Sequence, residues 1–240
     1  MKLDVLVFAA HPDDAELNAG GTIASLVAEG KKVGIVDLTK GEMGTRGTSE
    51  SRKQEVNQAS EVLGIHYRVN LDLGDSILEN SRENQLKIIE QVRHTTPSIC
   101  LIGAPYDRHP DHGKASELCR DALFYSGLEK IESRLHEEQQ SAWRPVRIYQ
   151  YMQDRPFEPD FIIDISSFWE LKKEAILSFS TQFNVEQPGS ESETYISNPD
   201  YFKQIEARAR YFGHLAGFTF GEPFKILNGP LGVKSLFKFF

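Results

Sequence analysis

The 240 residues, 40% of them hydrophobic, suffice for one ample core and predict a single domain. A net charge of -8 and a pI near 5.4 exclude a nucleic-acid binder, which needs a basic face. No apolar run approaches the ~18 residues that cross a bilayer, Met1–Asp4 does not resemble a secretory leader, and the two cysteines, Cys100 and Cys119, form neither a disulfide framework nor a CxxC pair; a cytoplasmic protein with no membrane partner is expected.

Leu3 to Ala9 reads as a first strand that delivers Ala10-His11-Pro12-Asp13-Asp14-Ala15-Glu16 to its carboxyl end, where open α/β sheets place their ligands. Gly20-Gly21 is expected to open a helix over 22–29, closed by Gly30, and Lys32 to Thr39 gives a second strand. This βαβ unit predicts an α/β, Rossmann-like fold, with a mostly parallel sheet and helices on both faces. The glycines lack the GxGxxG pattern of a dinucleotide loop. Lys40 to Thr48 reads as a glycine-rich loop at the same edge, Ser51 to Leu63 as a helix closed by Gly64, and Ile65 to Asn70 as a third strand before the loop 71–76. An amphipathic helix follows over Arg82 to Thr96, stopped by Pro97. Ser98 to Ala104 is apolar enough for a strand buried on both faces, and it carries Asp107-Arg108-His109-Pro110-Asp111-His112 to the same rim. Pro110 suits the first turn of the next helix, which runs to Tyr125.

The second half is less patterned. Glu129 to Arg144 predicts an exposed loop or frayed helix, Arg147 to Met152 and Phe161 to Ile165 predict strands, and Phe168 to Phe179 a helix. Gln182 to Pro199 is Ser/Glu-rich, either a mobile lid or disordered. Tyr201 to Tyr211 is a last helix, and the apolar tail Leu236–Phe240 must dock on the core or at a subunit interface. The single domain 1–240 thus divides into a core with both motifs, 1–125, and an addition of strands, mobile stretch and terminal helix, 126–240.

Two turns rich in His and Asp, each after a strand, suit one metal ion. His11, Asp14 and His112 supply two imidazoles and a carboxylate, the usual ligands of a catalytic zinc whose remaining position is left to water. Asp13 then stands beside the metal, free to take a proton from that water. A lone HPDD is equally an ordinary turn; the pairing of two such turns argues for the metal. Asp75 suits a substrate hydroxyl or a plain turn, and Arg46 is the residue of its loop singled out for a ligand role. Arg52, in a helix's first turn, is a cation placed against the helix dipole, a cost that a functional use would offset.

The segments AHPDDAE and DRHPDH resemble the paired motifs of the LmbE-like, or PIG-L, family of zinc-dependent N-acetylglucosaminyl deacetylases. Gly41-Glu42-Met43-Gly44-Thr45-Arg46-Gly47-Thr48 and Ser51-Arg52-Lys53-Gln54-Glu55 resemble the branch that deacetylates N-acetylglucosaminyl malate in bacillithiol synthesis. Ser180-Thr181-Gln182-Phe183 and Glu206–Gly213 extend the likeness over most of the chain. The resemblance implies one zinc per chain, His109 as a protonated imidazole near the scissile carbonyl, and Asp111 holding its ring. It also implies substrate contacts from Arg52, Arg108 and Tyr201, with Tyr195 competing for the last role and plain packing the alternative for Tyr201. A homo-oligomer acting on a small glycoside is expected. The alternatives are a deacetylase of N-acetylglucosamine or chito-oligosaccharides, and a non-catalytic zinc-containing sugar-binding protein.

Overall fold

The computed structural model describes residues 1–183 and 194–232. Most of the expected lid stretch, 184–193, and the whole apolar tail lie outside the described residues.

A seven-stranded sheet organises the chain. Its parallel part is β1 (Val5–Ala9), β2 (Val33–Asp37), β3 (Tyr67–Asn70), β4 (Ile99–Ile102) and β7 (Arg147–Tyr151). With β8 (Phe161–Asp164) and β9 (Gly221–Ile226) the order is β3-β2-β1-β4-β7-β9-β8. β1 is central and fully buried, and alternate side chains enter different layers. Leu6 and Phe8 pack on the side of α3 (Arg82–Thr95) and α4 (Pro110–Tyr125). Val5, Val7 and Ala9 pack on the side of α1 (Asp14–Ala28) and α5 (Trp169–Leu177). A third cluster joins α1, α2 (Ser49–Leu63), α5, α6 (Ser180–Phe183) and α7 (Pro199–Ala216). The mostly parallel sheet with helices on both faces is as expected. β1 lies between β2 and β4, so the chain reverses its direction of travel across the sheet there. This is the switch point where α/β sheets open a crevice, and both motifs emerge beside it.

Local chemistry explains the boundaries. Thr48 and Ser51 form a reciprocal capping box at the start of α2, and Gly64 ends it at φ 68°. Ser81 caps α3, whose end precedes Pro97.

Four elements differ from the sequence reading, among them α6, which puts Gln182 and Phe183, expected in the mobile stretch, in a short helix with both side chains buried. α1 starts at Asp14 and runs through Gly20 and Gly21, which form its close-packing face: a Cβ on Gly21 would lie 2.7 Å from Ile165. Residues 129–144 hold a small hairpin, β5 (Arg134–Leu135) against β6 (Glu138–Gln139), turning through His136 and Glu137 at positive φ. The strand β9, which the sequence reading did not contain, inserts antiparallel between β7 and β8. Its Gly, Glu, Pro and Lys give no strand signal. Two neighbours form it, and Pro223 falls just beyond the last pair with β7.

Candidate metal centre and active site

The loop after β1 turns sharply at Asp13, which adopts φ 119° and whose carbonyl accepts Leu17 N–H at 2.9 Å to start α1. The turn brings Asp14 back over His11. Asp14 Oδ2 accepts the His11 backbone N–H at 2.9 Å and lies 3.5 Å from His11 Nδ1. Asp14 Oδ1 lies 3.2 Å from His112 Nε2 and accepts Gln153 Nε2–H at 3.2 Å. The second motif folds as α4 begins, with Pro110 in the first turn and His109 as its cap. One ligand atom from each of His11, His109 and His112 comes within 4.8 Å of the others.

This donor set fits a divalent cation. His112 Nδ1 faces Asp107 Oδ2 at 2.6 Å, and a carboxylate only accepts, so that nitrogen carries a proton. In a neutral ring Nε2 is then a lone pair directed at Asp14 Oδ1, acceptor against acceptor, which requires a cation or a second proton between them. The electrostatics agree. Burial opposes charge on all three groups, yet Asp14 is held well below its ordinary value by His112 and His11. His11 is raised by Asp111, Asp14 and Asp75, and His112 to about 9 by Asp14 and Asp107. The pocket draws positive charge to the space among His11, Asp14 and His112.

Asp13 differs from its neighbour. It is 6% exposed, and its Oδ2 lies 3.5 Å from Arg52 Nη1. Burial pushes its carboxyl up to about 7, against the pull of the Arg52 guanidinium. Asp111 does not hold the His109 ring as expected. Its Oδ2 accepts Ser76 N–H at 2.7 Å and lies 3.6 Å from His11 Nε2, because the first turn of α4 points it across the pocket. His109 Nδ1 accepts Asp111 N–H, leaving Nε2 to carry the ring proton, and burial beside His11 and His112 lowers its pKa. Burial and the neighbouring imidazoles thus work against the expected imidazolium.

His11, Asp13, Asp14, His109 and His112 line a cavity of about 190 Å³, with Arg52, Asp75, Arg108 and Tyr201 in its wall. Arg52 Nη1 donates to Pro12 O at 3.1 Å, which ties α2 to the first motif. Asp75 Oδ1 accepts His11 Nε2–H at 3.1 Å and Oδ2 accepts Met43 N–H at 2.9 Å. Arg108 pairs with Asp154 at 3.1 Å and lies 3.9 Å over the Tyr195 ring. Tyr201 is buried, and its hydroxyl donates to Asp154 Oδ1 at 3.1 Å. Tyr195 is exposed and meets Tyr201 edge-on at 5.1 Å, so both tyrosines stand on one side of the mouth. Arg46 lies outside this cavity, in an adjoining depression with Lys40 and Arg52.

Residues 6–123, which contain both motifs, match the PIG-L family model, described as GlcNAc-PI de-N-acetylase. Both motifs thus lie in a segment similar to the PIG-L family. The conserved protein TT1542 from Thermus thermophilus has a solved structure similar to this chain, with a TM-score of 0.85 at 37% identity over 98% of this chain and 97% of that one. Diacetylchitobiose deacetylase of Thermococcus kodakarensis is 29% identical over 235 residues, 94% of this chain and 83% of that protein. 4-Oxalmesaconate hydratase of Pseudomonas putida is 27% identical over 205 residues, 74% of this chain and 73% of that protein.

Sequence reasoning missed four residues that shape the pocket. Gln153 and Asp154 follow β7, the parallel strand next to β4, and that position at a carboxyl end was the available signal. Arg208 on α7 donates to the Gln153 carbonyl and to Asn18 Oδ1, while Asn18 Nδ2 donates to the Asp14 carbonyl at 2.8 Å. No local pattern links positions 18, 153 and 208.

Proposed function

We propose that this protein is a metal-dependent deacetylase of N-acetylglucosamine-containing substrates, with N-acetylglucosaminyl malate as its preferred one. The observation that carries the reading is Asp14 set between His11 Nδ1 and His112 Nε2, with a second carboxylate, Asp13, beside them and bound to neither. His11, Asp14 and His112 would hold the ion, zinc by the borderline character of the donors. A divalent metal held there would polarise the acetyl carbonyl and make water acidic enough to react near neutral pH.

The protein's own groups perform the proton transfers. Asp13 accepts a proton from the attacking water and delivers it to the departing amine. Its surroundings suit both tasks, because burial keeps the carboxylate reactive and Arg52 orients it. His109 Nε2–H donates to the oxyanion that develops on the acetyl oxygen, acting as a neutral donor of the oxyanion-hole type. Asp75 and Asp111 keep His11 in place through Nε2, so Nδ1 faces Asp14. Arg52 and Arg108 line the cavity and Arg46 the adjoining depression, as partners for substrate oxygens, and guanidinium forks fit a carboxylated aglycone such as malate. The malate assignment is supported by the GEMGTRGT and SRKQE segments, and the acetamide chemistry by the deacetylase relative.

A hydratase reading has the Pseudomonas relative in its favour, since adding water to a carbon–carbon double bond needs the same activated water and base. Three substrates assayed side by side separate the readings. Release of acetate from N-acetylglucosaminyl malate, faster than from N-acetylglucosamine or diacetylchitobiose, is the expected result. Preference for either sugar alone would refute the malate assignment, and turnover of 4-oxalmesaconate without acetate release would replace the deacetylase by the hydratase.

A further inference from the structure

Asp107 opens the second motif, and the reaction above gives it no task. Its side chain is fully enclosed, at 0% exposure, although it stands in a loop. Oδ2 meets His112 Nδ1 at 2.6 Å, and Oδ1 accepts the Arg155 backbone N–H at 2.7 Å, from the segment after β7. Two donors therefore use both oxygens, and the carboxylate is held from two sides. On the far side of the same imidazole, Nε2 looks at Asp14 Oδ1.

We propose that Asp107 is a positioning residue that fixes the tautomer and orientation of His112, so that Nε2 presents its lone pair to a metal shared with Asp14. The inference rests on the metal-site part of the reading above. A neutral histidine has one N–H, and whichever nitrogen gives it away to a carboxylate leaves the other free to ligate. Asp107 makes that choice by geometry. Because Arg155 N–H occupies its second oxygen, the carboxylate cannot rotate to follow the ring, and the ring must come to it. Such partners typically contribute about 10–100-fold in metal affinity.

Asp107→Asn keeps the size but cannot keep both contacts. With its oxygen toward Arg155, its NH₂ faces Nδ1 and drives the ring proton to Nε2. With its oxygen toward His112, its NH₂ meets the Arg155 N–H. The test is zinc affinity by chelator competition, together with the visible spectrum of the cobalt-loaded protein and the melting of the metal-free variant. A zinc Kd weakened by about five-fold or more, with altered cobalt bands and little change in metal-free melting, is expected. A Kd change smaller than about five-fold overturns the inference and leaves the deacetylase reading standing. A zinc-binding wild type that releases no acetate does the reverse. One measurement needs no variant: long-range proton–nitrogen NMR of the zinc-loaded wild type is expected to show His112 protonated at Nδ1 and metallated at Nε2. Metal on Nδ1 would sink the proposal.

Discussion

Asp13 and Asp14 are consecutive carboxylates that their surroundings separate. Asp14 lies among imidazoles, while Asp13 faces the Arg52 guanidinium and sits at φ 119°, a backbone region that costs a non-glycine residue about 1–3 kcal/mol. Asp13→Ala is therefore expected to keep its metal and to lose about 10²–10⁴-fold in turnover, the range of general acid–base catalysis. His11→Ala is expected to lose metal and turnover together. Metal analysis of both variants checks the division, and equal metal loss would abolish it. The strained turn adds a stability test. Asp13→Gly should exceed Asp13→Ala by about 1 kcal/mol in urea unfolding, because only glycine takes positive φ without penalty. Equal stability would mean that the turn is unstrained in solution.

Among elements, α1 bears the strongest constraints. Glu16 in its first turn and Asp37 at the end of β2 share Arg68 of β3, a buried set that joins the motif helix to two strands. Further along, Glu222 of β9 reaches into the middle of α1 and accepts Gly21 N–H at 2.9 Å and Thr22 N–H at 2.8 Å, with Lys172 of α5 at 2.7 Å. Lys172→Met would leave that carboxylate buried without its cation, a loss of about 3–5 kcal/mol. Adding Glu222→Gln should recover part of the loss, since glutamine removes the charge and keeps an acceptor for one amide. Thermal or urea unfolding decides, and a double variant weaker than the single would refute this account. Burial lowers the Lys172 pKa below 10.5 despite Glu222. Between that lowered value and 10.5 the unfolded chain holds more protons, so this group makes stability rise with pH across the window. Stability of wild type minus Lys172→Met, followed up to pH 10.5, should show that rise; a flat or falling difference would contradict it.

At the scale of the whole molecule, the candidate metal site doubles as a clasp. It draws together the ends of β1 and β4, and Gln153, Arg208 and Asn18 brace Asp14 from the segment after β7, from α7 and from α1. Chelation should therefore abolish activity and lower stability by about 2.7 kcal/mol where free metal had stood at about 100 times its Kd, with a lower melting temperature as the readout. Unchanged melting after verified metal removal would show that the clasp carries no load. Much of this site was legible beforehand. His11, Asp13, Asp14 and His112 stand out because a strand's apolar run sets the register, and the residues after it must lie at the sheet's edge. The two motifs, the parallel half of the sheet and the helices around it are local consequences of periodicity and of turn chemistry, so the sequence alone determined them. Position alone could not reveal β9, Asp154 or the Asp107–His112 contact, nor that Asp111 turns to Ser76 instead of to His109. Those depend on which strand lies beside which and on what remains to satisfy a buried polar atom, and only the packed chain decides such pairings between residues far apart in order.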